Sequence, residues 1–162
     1  MSISDSYVGS RYSEIAQLLN DLEARAASDS RLAAHIAGYL DVLIVGAVED
    51  AIEHLINKRG KQTGDVEIEA YVRGAVHGSF RNPDWSAISG QLGRMSEQYK
   101  ADFRSRISPD GSTAQALHSL LGNKNALAHE GSSNLHLTIA DVRGYFERLE
   151  SLFEAVEAVL RV

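Results

Sequence analysis

The sequence Leu40-Asp41-Val42-Leu43-Ile44-Val45-Gly46-Ala47-Val48 is an apolar run that only Asp41 and Gly46 interrupt. Apolar residues on all sides of a helix indicate that other elements surround it. The run lies inside a longer segment, residues 30–57, whose apolar residues recur at helical spacing. We expect this segment to form the central helix of the fold, capped at Ser30 and ended by Lys58-Arg59-Gly60.

The rest of the chain also has the spacing of helices rather than strands. It contains only two prolines, and the apolar residues between them do not alternate as they would in a half-buried strand. Asn82 is the predicted cap of a helix that begins at Pro83, and Thr138-Ile139-Ala140-Asp141 is similar to a capping box before the last helix. Helices are predicted over residues 11–27, 65–77, 83–92, 96–106 and 112–130, with loops over residues 58–65 and 132–137. The predicted fold is an all-α helical bundle with two long core helices and shorter accessory helices.

Size and composition predict one domain over residues 1–162. The chain has 162 residues, of which 44% are hydrophobic and 23% charged, which is enough to bury one core. It contains no cysteine, so disulfides, thiolate zinc sites and cysteine nucleophiles are excluded. The sequence shows neither a membrane-spanning run nor the basic and apolar regions of a signal peptide. We expect a cytoplasmic protein with no membrane partner.

The net charge of -6 argues against a protein that coats nucleic acid through its overall field. Binding of nucleic acid by a local basic surface stays possible on this composition. Lys100 and Arg104 share one face of a predicted helix, with Arg106 nearby, and are the candidate RNA-binding residues. The basic residues from Lys58 to Lys61 are better explained by the dipole at a helix C-terminus.

The candidate for chemistry is the polar segment Asn123-Lys124-Asn125-Ala126-Leu127-Ala128-His129-Glu130-Gly131. Asn125 and His129 are four residues apart and share a helix face, and Lys124 lies beside them. A histidine can carry a proton, and a neighbouring cation can stabilise charge on a phosphate. This combination suits metal-free RNA cleavage, in which the ribose 2′-hydroxyl attacks the adjacent phosphate. The alternative is an ordinary solvated helix end.

Other sites are weakly indicated. The six histidines show no paired metal-ligand spacing, so neither zinc nor another cofactor is expected. No Gly-x-Ser-x-Gly elbow and no phosphate-binding glycine loop occurs. His118 is predicted to be a buried or interfacial residue, His136 a loop residue and Trp85 a core residue.

Three separated stretches resemble the HEPN superfamily (higher eukaryotes and prokaryotes nucleotide-binding), and within it prokaryotic branches such as the RiboL-PSP-HEPN domains. The first is the apolar helix that ends in Glu49, and the second is Phe80-Arg81-Asn82-Pro83-Asp84-Trp85. The third is Asn125-Ala126-Leu127-Ala128-His129, followed by Thr138-Ile139-Ala140-Asp141-Val142 and the last helix. The resemblance covers residues 40–160 approximately, in the family's order.

The resemblance implies a homodimer whose motif helices face each other and form a composite, metal-independent ribonuclease site. The family motif is Arg, a polar residue, three further residues and His. On this chain it places His129 as general acid or base, Asn125 as the residue that orients it, Lys124 at the Arg position and Glu49 as the upstream acid that supports the cation. It also implies RNA as substrate and an antitoxin or defence-system protein as partner.

Lys124 departs from the family pattern. Arginine offers a planar fork to two phosphate oxygens, whereas lysine offers a single point of charge. In addition, Glu130 stands where the family usually has glycine. We therefore predict weak or absent cleavage with retained RNA or nucleotide binding. The alternative function is a non-catalytic helical module for dimerisation or protein interaction.

Overall fold

The computed structural model describes residues 3–26, 29–77, 80–130 and 137–162, and these ranges form helices without a strand. The predicted all-α bundle is confirmed. The predicted helix end at Gly131 and the loop with His136 lie outside the described residues. The helices are α1 (Ser6–Ala26), α2 (Ser30–Lys61), α3 (Val66–Val76), α4 (Trp85–Met95), α5 (Glu97–Arg106), α6 (Ser112–Glu130) and α7 (Ile139–Leu160).

The two long helices α2 and α7 pack against each other in the middle of the bundle. Helix α6 packs against both of them, α1 also contacts both, α3 packs against α2, and α5 packs against α4 and α7. The apolar run of α2 is buried at Leu40, Ile44, Val45 and Val48. The prediction of α2 as the central helix is therefore confirmed.

Helix α2 also meets the length and composition criteria for a membrane span over Arg31–Lys61. A buried core helix of a bundle meets the same criteria, because both are long and apolar. Neighbouring helices pack on several sides of α2 and bury much of its apolar surface, although Leu32, Tyr39 and Val42 stay exposed. By itself it therefore decides nothing about location.

The start of α1 and the end of α2 differ from the prediction, and the Asp5 carboxylate contacts both of them. Helix α1 begins at Ser6 rather than at residue 11, since Asp5 accepts hydrogen bonds from the backbone amides of Tyr7 and Val8. Helix α2 continues to Lys61 instead of ending at residue 57. The Lys58 ammonium donates to the same Asp5 carboxylate at 2.8 Å, so a contact with α1 stabilises the last turn of α2.

Two predicted N-caps are replaced by aspartates. Asp29, not Ser30, caps α2 by accepting from the amides of Arg31 and Leu32. Helix α4 begins at Trp85 with Asp84 as its cap, two residues later than predicted. Asn82 does not cap a helix: its φ of 54° lies in the left-handed region, so a helix cannot begin directly after it at Pro83.

The predicted capping box before α7 is confirmed. The Thr138 hydroxyl oxygen accepts from the Asp141 amide at 3.1 Å, and the Asp141 carboxylate accepts from the Thr138 amide at 3.0 Å. Both orphan donors at the start of the helix are thereby satisfied. The helix then buries an apolar face that includes Val142, Phe146 and Leu149.

Replacing Thr138 by alanine tests this cap. We expect Thr138→Ala to lower the free energy of unfolding by about 1 kcal/mol, because the Asp141 amide loses its acceptor. Urea unfolding followed by circular dichroism measures the change. Thr138→Ser is the matched control, since it keeps the hydroxyl, and a loss as large as that of alanine in the serine variant would contradict the capping role.

Candidate functional site

Three segments that are far apart in the sequence meet at the Glu49 carboxylate. Glu49 Oε1 accepts a hydrogen bond from the Asn82 amide at 3.0 Å and lies 3.3 Å from the Lys124 ammonium. The ammonium also donates to Asn82 Oδ1 at 3.2 Å. Glu49 of α2, Asn82 of the segment before α4 and Lys124 of α6 therefore form one connected cluster, which we call the Lys124 cluster.

The left-handed backbone of Asn82 makes this cluster possible. The proline that follows disfavours the right-handed helical conformation for Asn82, and asparagine is among the few residues that tolerate the left-handed region. In this conformation Asn82 directs its amide to Glu49 and its side-chain oxygen to Lys124. The Asp84 amide donates back to the Asn82 carbonyl at 2.8 Å, and the turn is closed.

The ammonium of Lys124 is held in place but remains open to solvent. The Lys124 and Glu49 side chains retain 28% and 25% of their exposure. A carboxylate and a carboxamide orient the ammonium from one side. Because an ammonium has three donors, the third stays available to an anionic ligand that approaches from solvent.

A buried polar pair lies one residue from Lys124. Asn123 donates its side-chain amide to Asp41 Oδ1 at 3.1 Å, while Asp41 Oδ2 is buried without a hydrogen-bond partner among the described residues. Burial raises the pKa of Asp41 to about 7, although the hydrogen bond from Asn123 and the charge of Lys124 act in the opposite direction. Asn123 and Asp41 therefore tie α6 to α2 beside the Lys124 cluster.

Asn125 and His129 lie on the outer face of α6, away from this cluster. Both side chains are exposed, and so is His118 on the same face. Lys124 and His129 are five residues apart, which on a helix corresponds to roughly 140° around the axis. Within one chain, Lys124 faces α2 and Asn82, whereas His129 faces solvent. The buried interpretation of His118 is wrong, because it points away from the core.

The two RNA-binding candidates are already engaged. The Arg104 guanidinium lies 5.2 Å from the centre of the Trp85 ring, and its Nε donates to Ser89 at 3.2 Å. The Lys100 ammonium lies 3.3 Å from a Glu97 oxygen. Trp85 is half-buried and donates its Nε1 hydrogen to the Ile107 carbonyl, as its predicted place in the core requires. Arg104 therefore helps to hold α4 and α5 together, whereas Lys100 is paired within α5.

The basic residues at the end of α2 also have partners within the fold. Lys58 donates to Asp5, and Arg59 donates to the Tyr99 hydroxyl at 3.1 Å. Lys61 is exposed. Over the described ranges, no group of three or more histidine or acidic side chains is arranged to hold a metal ion.

Two contacts of the site escaped the sequence reasoning. Asp41 is visible as the one charged residue in an apolar run, but its partner Asn123 is 82 positions away, and no local pattern connects them. Asn82 stands directly before Pro83, and this Asn-Pro pair predicted a helix cap. In the structure the Asn82 side chain is instead a hydrogen-bond acceptor for Lys124. The pairing of Glu49 with Lys124, which the resemblance implied, is present at 3.3 Å.

Comparisons with known proteins provide no relative for this chain. No family model, no curated protein and no solved structure matches it. The resemblance drawn from the three sequence stretches therefore stays a prediction.

The pKa of Asp41 predicts how stability depends on pH. Folded Asp41 keeps its proton up to a pH of about 7, whereas the unfolded chain releases it near the ordinary value of 3.8. The unfolded state thus binds fewer protons between these values, and stability falls as pH rises through the interval. Asp41→Asn cannot ionise. We expect its stability relative to wild type to rise between pH 4 and pH 8 by as much as about 4 kcal/mol.

Urea unfolding at a series of pH values measures this difference. Asp21→Asn is the matched control, because it removes an aspartate that is exposed on α1, away from the buried pair. An Asp41→Asn variant with the same pH slope as wild type would contradict a buried carboxyl that titrates near neutrality.

Proposed function

We propose that this protein is a HEPN-type RNA-binding and ribonuclease domain that cleaves RNA without a metal ion. The observation that carries the proposal is the Lys124 cluster. Glu49 and Asn82 come from the first two stretches on which the resemblance depends, and Lys124 directly precedes the third, at the position of the motif Arg. The described contacts join the three residues at 3.0 to 3.3 Å. A fixed cation with a free donor at this position suits a phosphate group.

The chemistry needs a proton carrier as well as a cation. In RNA cleavage of this kind the ribose 2′-hydroxyl loses a proton and attacks the adjacent phosphorus, and the 5′-oxygen leaves with a proton. His129 is the exposed imidazole on the same helix and takes the role of general acid or base. Asn125, four residues earlier on the same face, orients His129 or the phosphate. Lys124 stabilises the charge that grows on the phosphate oxygens.

The angle between Lys124 and His129 favours a composite site. Because the two residues point roughly 140° apart around α6, one chain does not direct both at a single phosphate. A homodimer in which His129 of one copy and Lys124 of the other line the same cleft supplies both groups to one phosphate. The proposed active species is therefore a homodimer, working in a prokaryotic defence or toxin–antitoxin setting with a cognate partner protein.

Cleavage is expected to be slow because lysine replaces the arginine of the family motif. An ammonium makes no bidentate contact with two phosphate oxygens. Loss of one preorganised donor costs about 10²- to 10³-fold in rate. Glu49 and Asn82 also occupy two of the three donors of Lys124. The remaining donor can bind one phosphate oxygen but cannot make the paired contact that an arginine makes, so we expect binding to be retained more fully than catalysis.

Cleavage of single-stranded RNA in the presence of a chelator tests the proposal. We expect wild type to cleave slowly, His129→Ala to be inactive, and Lys124→Arg to be faster by about a hundredfold or more, because the guanidinium restores the missing donor. Product formation from end-labelled RNA is measured on denaturing gels.

Lys61→Ala is the control for loss of a lysine. Lys61 is exposed at the end of α2, twelve residues and about 18 Å from Glu49 along the helix. Lys124→Ala should lower RNA affinity, while Lys61→Ala should leave it unchanged. If wild type and Lys124→Arg cleave no faster than His129→Ala, the enzyme proposal fails.

A non-catalytic interaction module is the second candidate. Several large apolar side chains are exposed, among them Tyr39 at 59%, Val66 at 79% and Tyr71 at 76%. On α3, Ile68 and Tyr71 are both exposed and lie three residues apart on one helix face, and a contiguous exposed apolar patch is typical of a surface that a partner covers. This candidate requires that wild type lacks ribonuclease activity, so RNA cleavage that depends on His129 excludes it.

A further inference from the structure

An exposed stripe runs along the first half of α2 toward the Lys124 cluster. Its members are Leu32, His35, Tyr39, Val42 and Gly46, and we call them the α2 stripe. Successive members are three or four residues apart in alternation, so they lie on one face of the helix. Leu32, Tyr39 and Val42 retain 44%, 59% and 44% of their exposure, and His35 is exposed as well. The stripe is therefore an apolar helix face that is open to solvent.

Farther along α2, another helix already covers the same face. Gly60 continues the heptad spacing of Leu32, and a Cβ atom added at Gly60 would lie 3.2 Å from the Val72 side chain of α3. A Cβ atom added at Gly46 would instead meet nothing within 4 Å. Helix α3 thus packs on the C-terminal part of this face, and the α2 stripe is the part that the described helices leave exposed.

Opposite charges stand at the two ends of the stripe. Arg31 and Glu49 are five full helical turns apart, so they lie on the same edge of α2. Arg31 is exposed, and its guanidinium forms no ion pair within the described ranges. The contacts of Glu49 with the Asn82 amide and with Lys124 both use Oε1. Its Oε2 therefore remains available to a donor from another molecule.

The shape of the stripe is complementary to a second copy of itself. In an antiparallel pair of α2 helices, with Tyr39 of one copy opposite Val42 of the other, the apolar side chains meet at the centre. The same register places His35 opposite Gly46, where the missing side chain leaves room for an imidazole. Such a pair has two-fold symmetry, so every contact occurs twice.

The charges select the antiparallel direction. In the antiparallel register Arg31 of one copy lies within one residue of Glu49 of the other, on the facing edge. A parallel pair would place Arg31 against Arg31 and Glu49 against Glu49, and such juxtaposition of like charges is unfavourable. Charge and shape therefore indicate the same arrangement.

We propose that two copies of this chain pair through the α2 stripe in an antiparallel two-fold dimer, with Arg31 of each copy bound to Glu49 of the other. Burial of Leu32, Tyr39 and Val42 provides the driving force. The ion pairs fix the register and the direction.

The direction of α6 decides which of its residues come near the partner. Asn123 donates to Asp41, and Leu127 lies against Gly38, so α6 runs antiparallel to α2. His129 follows Leu127 by two residues. It is therefore at the level of the first turns of α2.

Across the dimer this end of α2 faces the Lys124 cluster of the partner. Helix α6 lies on the edge of α2 that carries Arg31 and Glu49, because Lys124 contacts Glu49. The two-fold axis is perpendicular to the helices, so both α6 helices lie on this same side of the dimer. The pairing thus brings His129 of one copy toward Lys124 of the other. This second part rests on the proposed ribonuclease function and names the face that makes its site composite.

Disulfide cross-linking of the full chain tests the register, because the sequence contains no cysteine. The double variant His35→Cys/Gly46→Cys should form a covalent dimer under mild oxidation, since the two positions face each other within the roughly 7 Å that a disulfide spans. Each single variant should stay monomeric on non-reducing gels, because its own two cysteines lie about 16 Å apart along the dimer. A covalent dimer of either single variant, or a double variant that stays monomeric, would overturn the proposal.

Sedimentation equilibrium measures the strength of the pairing. We expect wild type to dimerise and Arg31→Glu to raise the Kd of the dimer at least about tenfold, because two symmetric ion pairs become repulsive contacts. Tyr39→Glu should abolish the dimer without changing the circular dichroism spectrum, since Tyr39 is exposed in the single chain.

Arg148→Glu is the matched control for charge reversal, because Arg148 is exposed on α7. Its Kd should equal that of wild type. A monomeric wild type, or an equal effect of the two charge reversals, would contradict pairing through the α2 stripe.

A mixture of two defective chains tests whether the site is shared. His129→Ala and Lys124→Ala each remove one group from both sites of their own dimer, whereas a mixed dimer keeps one intact site. After exchange of subunits we expect about a quarter of wild-type cleavage of single-stranded RNA, since half of the dimers are mixed and each has one of two sites. An active wild type without recovery in the mixture would overturn the placement of His129 beside Lys124. A wild type that does not cleave RNA would remove the ribonuclease, while cross-linking and sedimentation would still decide the pairing.

Discussion

The close packing of α6 against α2 is the constraint on which the site depends. Gly38 of α2 is buried, and a Cβ atom added there would lie 3.0 Å from the Leu127 side chain. The backbone of α2 therefore comes near enough to α6 for the short side chains of Asn123 and Asp41 to meet. The same approach brings Lys124 within reach of Glu49, two turns farther along α2. A wider separation of these two helices would break both the Asn123–Asp41 and the Lys124–Glu49 contacts.

Much of the fold follows from local patterns, and the exceptions have long-range causes. The apolar run of α2, the bounds of α3 and α6 and the capping box of α7 depend on nearby residues, so periodicity and capping rules predict them. The early start of α1 depends on Glu157, whose carboxylate accepts from the Ser4 and Asp5 amides across more than 150 positions. The late end of α2 depends on Lys58 and Asp5, and on Gly60, which Val72 approaches closely. Such contacts join residues that are far apart in the sequence, so the residues near a helix end do not predict them.

The candidate site likewise combines features that the sequence predicts with features that depend on tertiary contacts. Glu49 and Lys124 were expected to meet only because of a resemblance, and the geometry that joins them is tertiary. Asn82 was assigned as a cap because Asn-Pro before a helical segment has that meaning locally. The left-handed backbone turns its side chain toward Lys124 instead. Asn125 and His129 were correctly placed on one helix face, but periodicity alone does not tell whether that face is buried, covered by a partner or exposed.

The double use of Asn82 couples the Lys124 cluster to the backbone before α4. Its amide donates to Glu49 and its side-chain oxygen accepts from Lys124, so a movement of the Lys124 ammonium also changes the hydrogen bonding of this turn. Coupling of this kind acts in both directions with the same free energy. Lys124 and the backbone of residues 82–84 are therefore linked through Asn82, and a change at either one is expected to alter the other.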